Sequence, residues 1–167
     1  LRVRNGSNGL YLWDGAGWKE DCLANRCQKF GATIASVDNL HAAGAYFFAR
    51  FNAVNGRRIL ARWFSGEWSP IVDFGDPLPN GAIASNISVL DGNRKGDALV
   101  QSFDGGLGLY VFSANGVRTV HSFIRPTVDG DLLRQVQAAE LRDDGRVYFI
   151  TVDYLDRILA YVATPQN

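Results

Sequence analysis

Short apolar runs broken by turn residues recur along the whole chain at a fixed spacing. Gly9-Leu10-Tyr11-Leu12-Trp13 comes back as Arg58-Ile59-Leu60-Ala61-Arg62-Trp63, then as Gly108-Leu109-Tyr110-Val111-Phe112. It starts once more as Arg157-Ile158-Leu159-Ala160-Tyr161-Val162. Runs of this length, rich in aromatic and branched residues and bounded by Gly, Asn and Asp, predict strands. In the middle unit they predict four, at 82–90, 97–102, 107–113 and 117–122. The links carry turn chemistry: Asp91-Gly92-Asn93 with Gly96, Asp104-Gly105-Gly106 and Ala114-Asn115-Gly116. Asn-Gly and Asp-Gly steps tolerate the positive φ that tight hairpins need. No segment combines end caps with sustained helical spacing; the best helical candidate, 132–141, reads as a strand by its place in the repeat.

Other landmarks keep the same step. Phe74 and Phe123, Pro77 and Pro126, and Gly81 and Gly130 are each 49 residues apart. A Leu-x-x-x-Gly turn or a close variant precedes each outer hairpin, at Leu40 to Gly44, Leu90 to Gly96 and Leu141 to Gly145. A repeat near fifty residues built from short strands predicts an all-β array of four-stranded antiparallel blades of the β-propeller type. About three blades' worth of chain is present, with strands offset between the termini: outer strands at 1–22, full blades at 33–74 and 82–123, and an incomplete blade at 134–163. Such an offset is what circular closure looks like, but three blades are fewer than propellers usually hold. Copies of the chain, or a second chain, are therefore expected to complete the ring.

Composition narrows the classes. Of 167 residues, 47% are hydrophobic, and 17 basic residues balance 17 acidic ones, so no net field draws nucleic acid or an anionic membrane. No apolar run approaches the roughly 20 residues of a membrane-spanning helix. The chain starts at Leu1 and holds no Met, which suggests a processed or excised piece, and no signal peptide is visible. Cys22 and Cys27 have the spacing of a small loop disulfide; with two His in the chain they do not suggest a zinc site. A disulfide there implies an oxidising compartment, secreted or periplasmic. No cofactor motif is present: there is no P-loop, nucleotide fingerprint or nucleophile elbow, and Val128-Asp129-Gly130-Asp131 and Asp91-Gly92-Asn93 resemble calcium loops in composition alone. Asn5-Gly6-Ser7 and Asn86-Ile87-Ser88 match glycosylation acceptors.

At Phe74-Gly75-Asp76-Pro77-Leu78-Pro79-Asn80-Gly81 the repeat resembles the roughly fifty-residue β-propeller repeats of secreted bacterial proteins of unassigned function. The likeness covers most of the chain. It implies a propeller scaffold and export, and brings no catalytic set with it. The first unit departs from the pattern, with the Cys22–Cys27 segment in place of Gly-Asp-Pro; the third has Ile124-Arg125 where Gly75-Asp76 would fall.

Candidate chemistry is sparse. Trp13 and Trp18 flank one hairpin turn, and Trp63 and Trp68 flank another fifty residues later; the third unit has Ser113 and Arg118 by the same count. Exposed indoles suit the apolar face of a sugar, but a cross-strand aromatic pair or packing against the next blade is the favoured reading of the pairs. His41, Asp91 and Arg142 follow the Leu of successive inner turns, and polar turn residues account for them. His121 falls in a predicted strand as a packed or edge residue. The loops entering the inner strands carry Arg26, Asp76, Arg125, Asp129, Asp131 and Arg134, with Asp104, Asp153 and Asp156 on the loops between second and third strands. A small polar ligand is expected here, with Arg125 and Arg134 as anion donors and Arg26, Asp76, Trp18 and Trp68 as further contacts.

The leading functional expectation is a non-enzymatic extracellular binding module on a propeller scaffold, with a glycan or small polar ligand as partner. One alternative is a carbohydrate-binding propeller; the other is a hydrolase or lyase with an axial site, against which the few His and Glu weigh.

Overall fold

The computed structural model describes residues 2–6 through their backbone, and 9–103 and 107–165 with side chains; the Asn5-Gly6-Ser7 acceptor, Asp104 and the Asp104-Gly105-Gly106 turn therefore lie wholly or partly outside the described residues. Every described element is a strand, and all pairing is antiparallel. Four meander sheets follow one another along the chain, in the blade arrangement that the repeat predicts. The first joins β1 (Arg2–Gly6), β2 (Gly9–Trp13) and β3 (Trp18–Leu23). The second joins β4 (Gln28–Lys29), β5 (Ala32–Ala43), β6 (Tyr46–Ala53), β7 (Arg58–Phe64) and β8 (Glu67–Asp73). The third holds β9 (Ile87–Gly92), β10 (Ala98–Ser102), β11 (Gly108–Ser113) and β12 (Gly116–Ser122); the fourth holds β13 (Leu133–Leu141), β14 (Val147–Asp153) and β15 (Ile158–Ala163).

The chain divides into two compact units, Leu1–Phe74 and Gly75–Asn167. In the first, Leu10 and Cys22 of the first sheet pack with Ile34, Val37, Ala49, Phe51 and Ala61 of the second. In the second, Leu99, Leu109 and Val111 of the third sheet pack with Leu133, Val136, Leu141, Val147 and Phe149 of the fourth. Alternation along each strand supplies these faces, and burial of each large side chain contributes about 1.5–3 kcal/mol. Hydrogen bonds across the inner turns join the sheets of the second unit as well. Asn93 Nδ2 donates to the Arg142 carbonyl at 3.3 Å, and the Arg94 N–H to Asp143 Oδ1 at 2.9 Å. The Leu141 N–H donates to Asp91 Oδ2 at 2.7 Å, so this turn carboxylate has a structural partner.

Several expectations need correction. The first strand of the third sheet begins at Ile87, because residues 82–86 are drawn into the preceding loop, where Ala84 donates to the Asp76 carbonyl and Ala82 accepts from Leu78. Residues 40–43 belong to β5, and His41 pairs with Phe48 inside the ladder, so the chain reverses only at Gly44. The Arg58 and Arg157 strings are one residue out of step. Ala53 N–H donates to the Arg57 carbonyl and Asp153 N–H to the Arg157 carbonyl, which makes Arg57 and Arg157 the equivalent pair. In a strand, a slip of one residue moves every side chain to the other face. The residues matching Trp13 and Trp18 in the third sheet are likewise Phe112 and Val117, which pair directly; Ser113 pairs with Gly116.

One irregularity recurs. In each of the first three sheets the last strand carries an extra residue where it meets the strand before it. Cys22 pairs with Leu10 but Glu20 with Tyr11, leaving Asp21 over. Ile71 is left over in β8 and Val120 in β12 by the same slip. Next to the bulge the two strands approach closely. A Cβ on Gly9 would lie 2.2 Å from the Cys22 carbonyl oxygen, and one on Gly108 would lie 2.6 Å from that of His121. Glycine is required at both places for space. Gly108→Ala is expected to destabilise the second unit by about 1–3 kcal/mol, the usual cost of overpacking, read as a lowered urea midpoint. An unchanged midpoint would mean the backbone yields there.

Candidate functional site

The bulge at Val120 borders a polar cleft of the second unit. Thr119, Val120, His121 and Ser122 of β12 form one wall of this cleft, which has a volume of about 480 Å³. Pro79 and Asn80 come from the loop before β9, and Arg125 and Pro126 from the turn after β12. That turn is closed by the Arg125 N–H donating to the Ser122 carbonyl at 3.0 Å. The next turn copies the loop that carries Asn80. Thr127 donates to the Asp131 carbonyl as Leu78 does to that of Ala82, and Gly130 donates to Thr127 as Gly81 does to Leu78.

Two polar atoms in this wall are buried without a hydrogen-bond partner among the described residues, His121 Nε2 and Ser122 Oγ. A buried polar group left unpaired costs about 1–3 kcal/mol, so such atoms mark where a bonding partner is wanted. Burial holds the His121 imidazole below its ordinary value, so the ring is neutral at pH 7 and offers a donor on one nitrogen and an acceptor on the other. Behind it, fully buried Tyr110 bonds through its hydroxyl to the Asn80 side chain. Burial pushes that phenol up and the Asn80 bond offsets part of the rise, leaving Tyr110 a neutral prop for Asn80. The Asn80 Oδ1 accepts from the Ala82 N–H at 3.3 Å. Among the described residues no carboxylate lines the cleft.

Three of the residues singled out from sequence occupy one structural position. The Arg26 N–H donates to the Leu23 carbonyl as that of Arg125 does to Ser122, and Asp76 stands at the same distance beyond β8. All three are exposed, and of them Arg125 lines the cleft. At the first repeat the residue matching His121 is Cys22, which is buried and bonded to Cys27 (S–S 1.97 Å), so a disulfide pins that turn. Arg134 sits at a bulge in β13 and pairs with Asp156 at 2.7 Å, apart from the cleft lining. Asp131 and Asp153 are engaged by Arg157 at 2.5 and 2.6 Å, and Asp131 also accepts from the Tyr161 hydroxyl. Burial raises the Asp153 carboxyl, but bonds from Arg157 and the Leu155 N–H outweigh it and leave the group below its ordinary value, a structural ion pair. Among the described residues no cluster of three His, Cys, Asp or Glu suits a metal ion.

The chain matches no family model and no curated protein. Among solved structures it is similar to a lectin. A mutant of the Aleuria aurantia lectin in complex with Fucα1-6GlcNAc is 13% identical, with a TM-score of 0.47 over 96% of this chain and 52% of that one. The same lectin in complex with α-methyl-L-fucoside gives 14%, 0.46, 96% and 51%. A triple arginine-to-alanine mutant of AofleA from Arthrobotrys oligospora gives 17%, 0.41, 92% and 45%. The chain spans about half the length of each.

The tryptophans separate by environment. Trp13 and Trp18 pair across the ladder edge to face at 5.6 Å, with Trp18 38% exposed. Trp68 turns instead onto the core, 4.9 Å from the Phe51 ring, and its Nε1 donates to Asp21 Oδ2 at 2.9 Å. It thus locks the first bulge to the second sheet. Trp68→Ala is expected to cost about 3 kcal/mol, within the range for aromatic truncation in a core, and Trp18→Ala less than about 1 kcal/mol. Chemical unfolding of the two variants checks the order; equal losses would contradict it.

Proposed function

We propose that the chain is a carbohydrate-binding module on a propeller-type scaffold, with the Asn80–His121–Arg125 cleft as its site. The carrying observation is the pair of buried, unpartnered polar atoms, His121 Nε2 and Ser122 Oγ, in an open cleft beside Asn80 and Thr119. Sugar hydroxyls both donate and accept, which matches a wall of amide, imidazole and hydroxyl groups. Pro79, Val120 and Pro126 add apolar surface for the C–H faces of a ring, and the volume suits one or two sugar residues. The Cys22–Cys27 disulfide supports an extracellular setting.

Titration of the protein with a panel of methyl glycosides, followed by NMR, tests the reading. The Aleuria aurantia lectin structure that holds α-methyl-L-fucoside puts that sugar in the panel. Binding is expected to weaken about tenfold in Asn80→Ala and in His121→Gln, the loss of roughly one hydrogen bond each, with the His121→Gln unfolding midpoint kept near wild type and the Asn80→Ala midpoint lowered, because the buried Tyr110 hydroxyl then loses its partner. Absence of shifts at Asn80, His121 and Ser122 with every sugar at tens of millimolar would sink it.

A partner reading goes with it: a second copy of the chain covers the outer face of the fourth sheet. In the third sheet the face carrying Leu99, Leu109 and Val111 is buried. Its counterpart one repeat later carries Tyr148, Ile150, Ala160 and Val162 around an apolar groove of about 390 Å³. Ile150 and Val162 are exposed there, and β15 bonds to β14 alone. Light scattering is expected to give a multiple of 18.3 kDa, lowered towards one copy by Val162→Asp; a single-copy mass for the wild-type chain would refute this reading.

A further inference from the structure

The lining of the cleft is uneven in charge, and this narrows the saccharide. Among its eight lining residues Arg125 is a permanent cation, His121, Asn80, Thr119 and Ser122 can all donate, and none is acidic. Arg125 is exposed, and its guanidinium makes no ion pair with any described carboxylate. It differs in this from the arginines that brace the loops of the same unit: Arg134 is held by Asp156, Arg146 by Asp144 and Arg157 by Asp131 and Asp153. An unclaimed guanidinium at a polar cleft presents a planar fork of donors that fits an oxyanion with two bonds.

Resting on the carbohydrate reading of this cleft, we propose that it selects saccharides carrying an oxyanion, a carboxylate or a sulfate ester, with Arg125 as the specificity-determining residue. The sugar hydroxyls meet Asn80, His121 and Ser122 while the charged substituent lies against the Arg125 fork. Nothing opposes the anion from within the lining. In the second repeat the matching turn position holds Asp76, which would repel such a ligand, and in the first it holds Arg26 beside the disulfide-pinned turn. The preference therefore belongs to the third repeat alone.

The test compares methyl β-D-glucoside, methyl β-D-glucuronide and glucose 6-sulfate, with acetate and inorganic sulfate as anions without a sugar, all titrated calorimetrically into the intact chain. At least one charged sugar is expected to bind about tenfold more tightly than the neutral glucoside, and the gap to narrow as salt rises from 20 to 200 mM. Which of the two charged sugars binds better tells carboxylate from sulfate ester. Arg125→Gln is expected to collapse the ratio of charged to neutral affinity towards one, and Arg125→Lys to restore part of it. Because Arg125 is exposed, both variants are expected to keep the wild-type unfolding midpoint. Equal affinity for the neutral and charged sugars would overturn the anion preference and leave the carbohydrate reading standing. A preference that survives Arg125→Gln would overturn the role of Arg125. Tight binding of acetate or sulfate with no gain from the sugar ring would overturn both readings, as would no binding at all.

Discussion

Between the last two strands of each of the first three sheets the backbone ladder breaks register once, and much of this molecule depends on that break. The extra residues, Asp21, Ile71 and Val120, bend the outer strand at the same place in three successive sheets. A bulge strengthens twist and re-aims the side chains that follow it. Close approach of the strands beside it demands Gly9 and Gly108, and the strand end beyond it sets the turn that carries Arg26, Asp76 or Arg125. One backbone irregularity thus supplies the entry to each loop.

What stands at the bulge then decides what each repeat does. In the first, Asp21 accepts the Trp68 indole N–H and sits beside Lys29, while the next residue, Cys22, is buried and cross-linked. The place serves stability. In the third, Val120 offers no side-chain bond, and the residues after it leave an imidazole nitrogen and a hydroxyl buried and unpaired. The same backbone device yields a lock in one sheet and a cleft in another. The difference lies in three or four side chains, which is how repeat scaffolds separate architecture from binding.

Charge is handled in the same divided way. Most of the arginines near the loops are committed: Arg57 to Asp73 and the Phe30 carbonyl, Arg157 to Asp131 and Asp153, Arg118 to the Gly145 carbonyl. These ties hold loop to strand. Arg125 makes no ion pair with a described carboxylate and faces a cleft without one, so its charge is available to a ligand.

By itself the sequence determined the strand content, the repeat and the blade type, because apolar alternation and Gly, Asn and Pro turns act locally and recur at every fiftieth residue or so. It also brought Arg125 forward, since the loop between blades is legible from Pro77 and Pro126. It made His121 a packed or edge residue and passed over Ser122 and Asn80, because these types are ordinary for a strand end and a turn. Register was equally out of reach: the Arg58 and Arg157 strings share their first four letters, yet those letters fall on opposite faces of their strands. Turn length and bulges set register, and both are settled only when the strands pair. Only the tertiary structure could decide which indole is core and which is surface, and which buried polar atoms go unpaired, because those depend on neighbours as far as 47 residues away, as Trp68 is from Asp21.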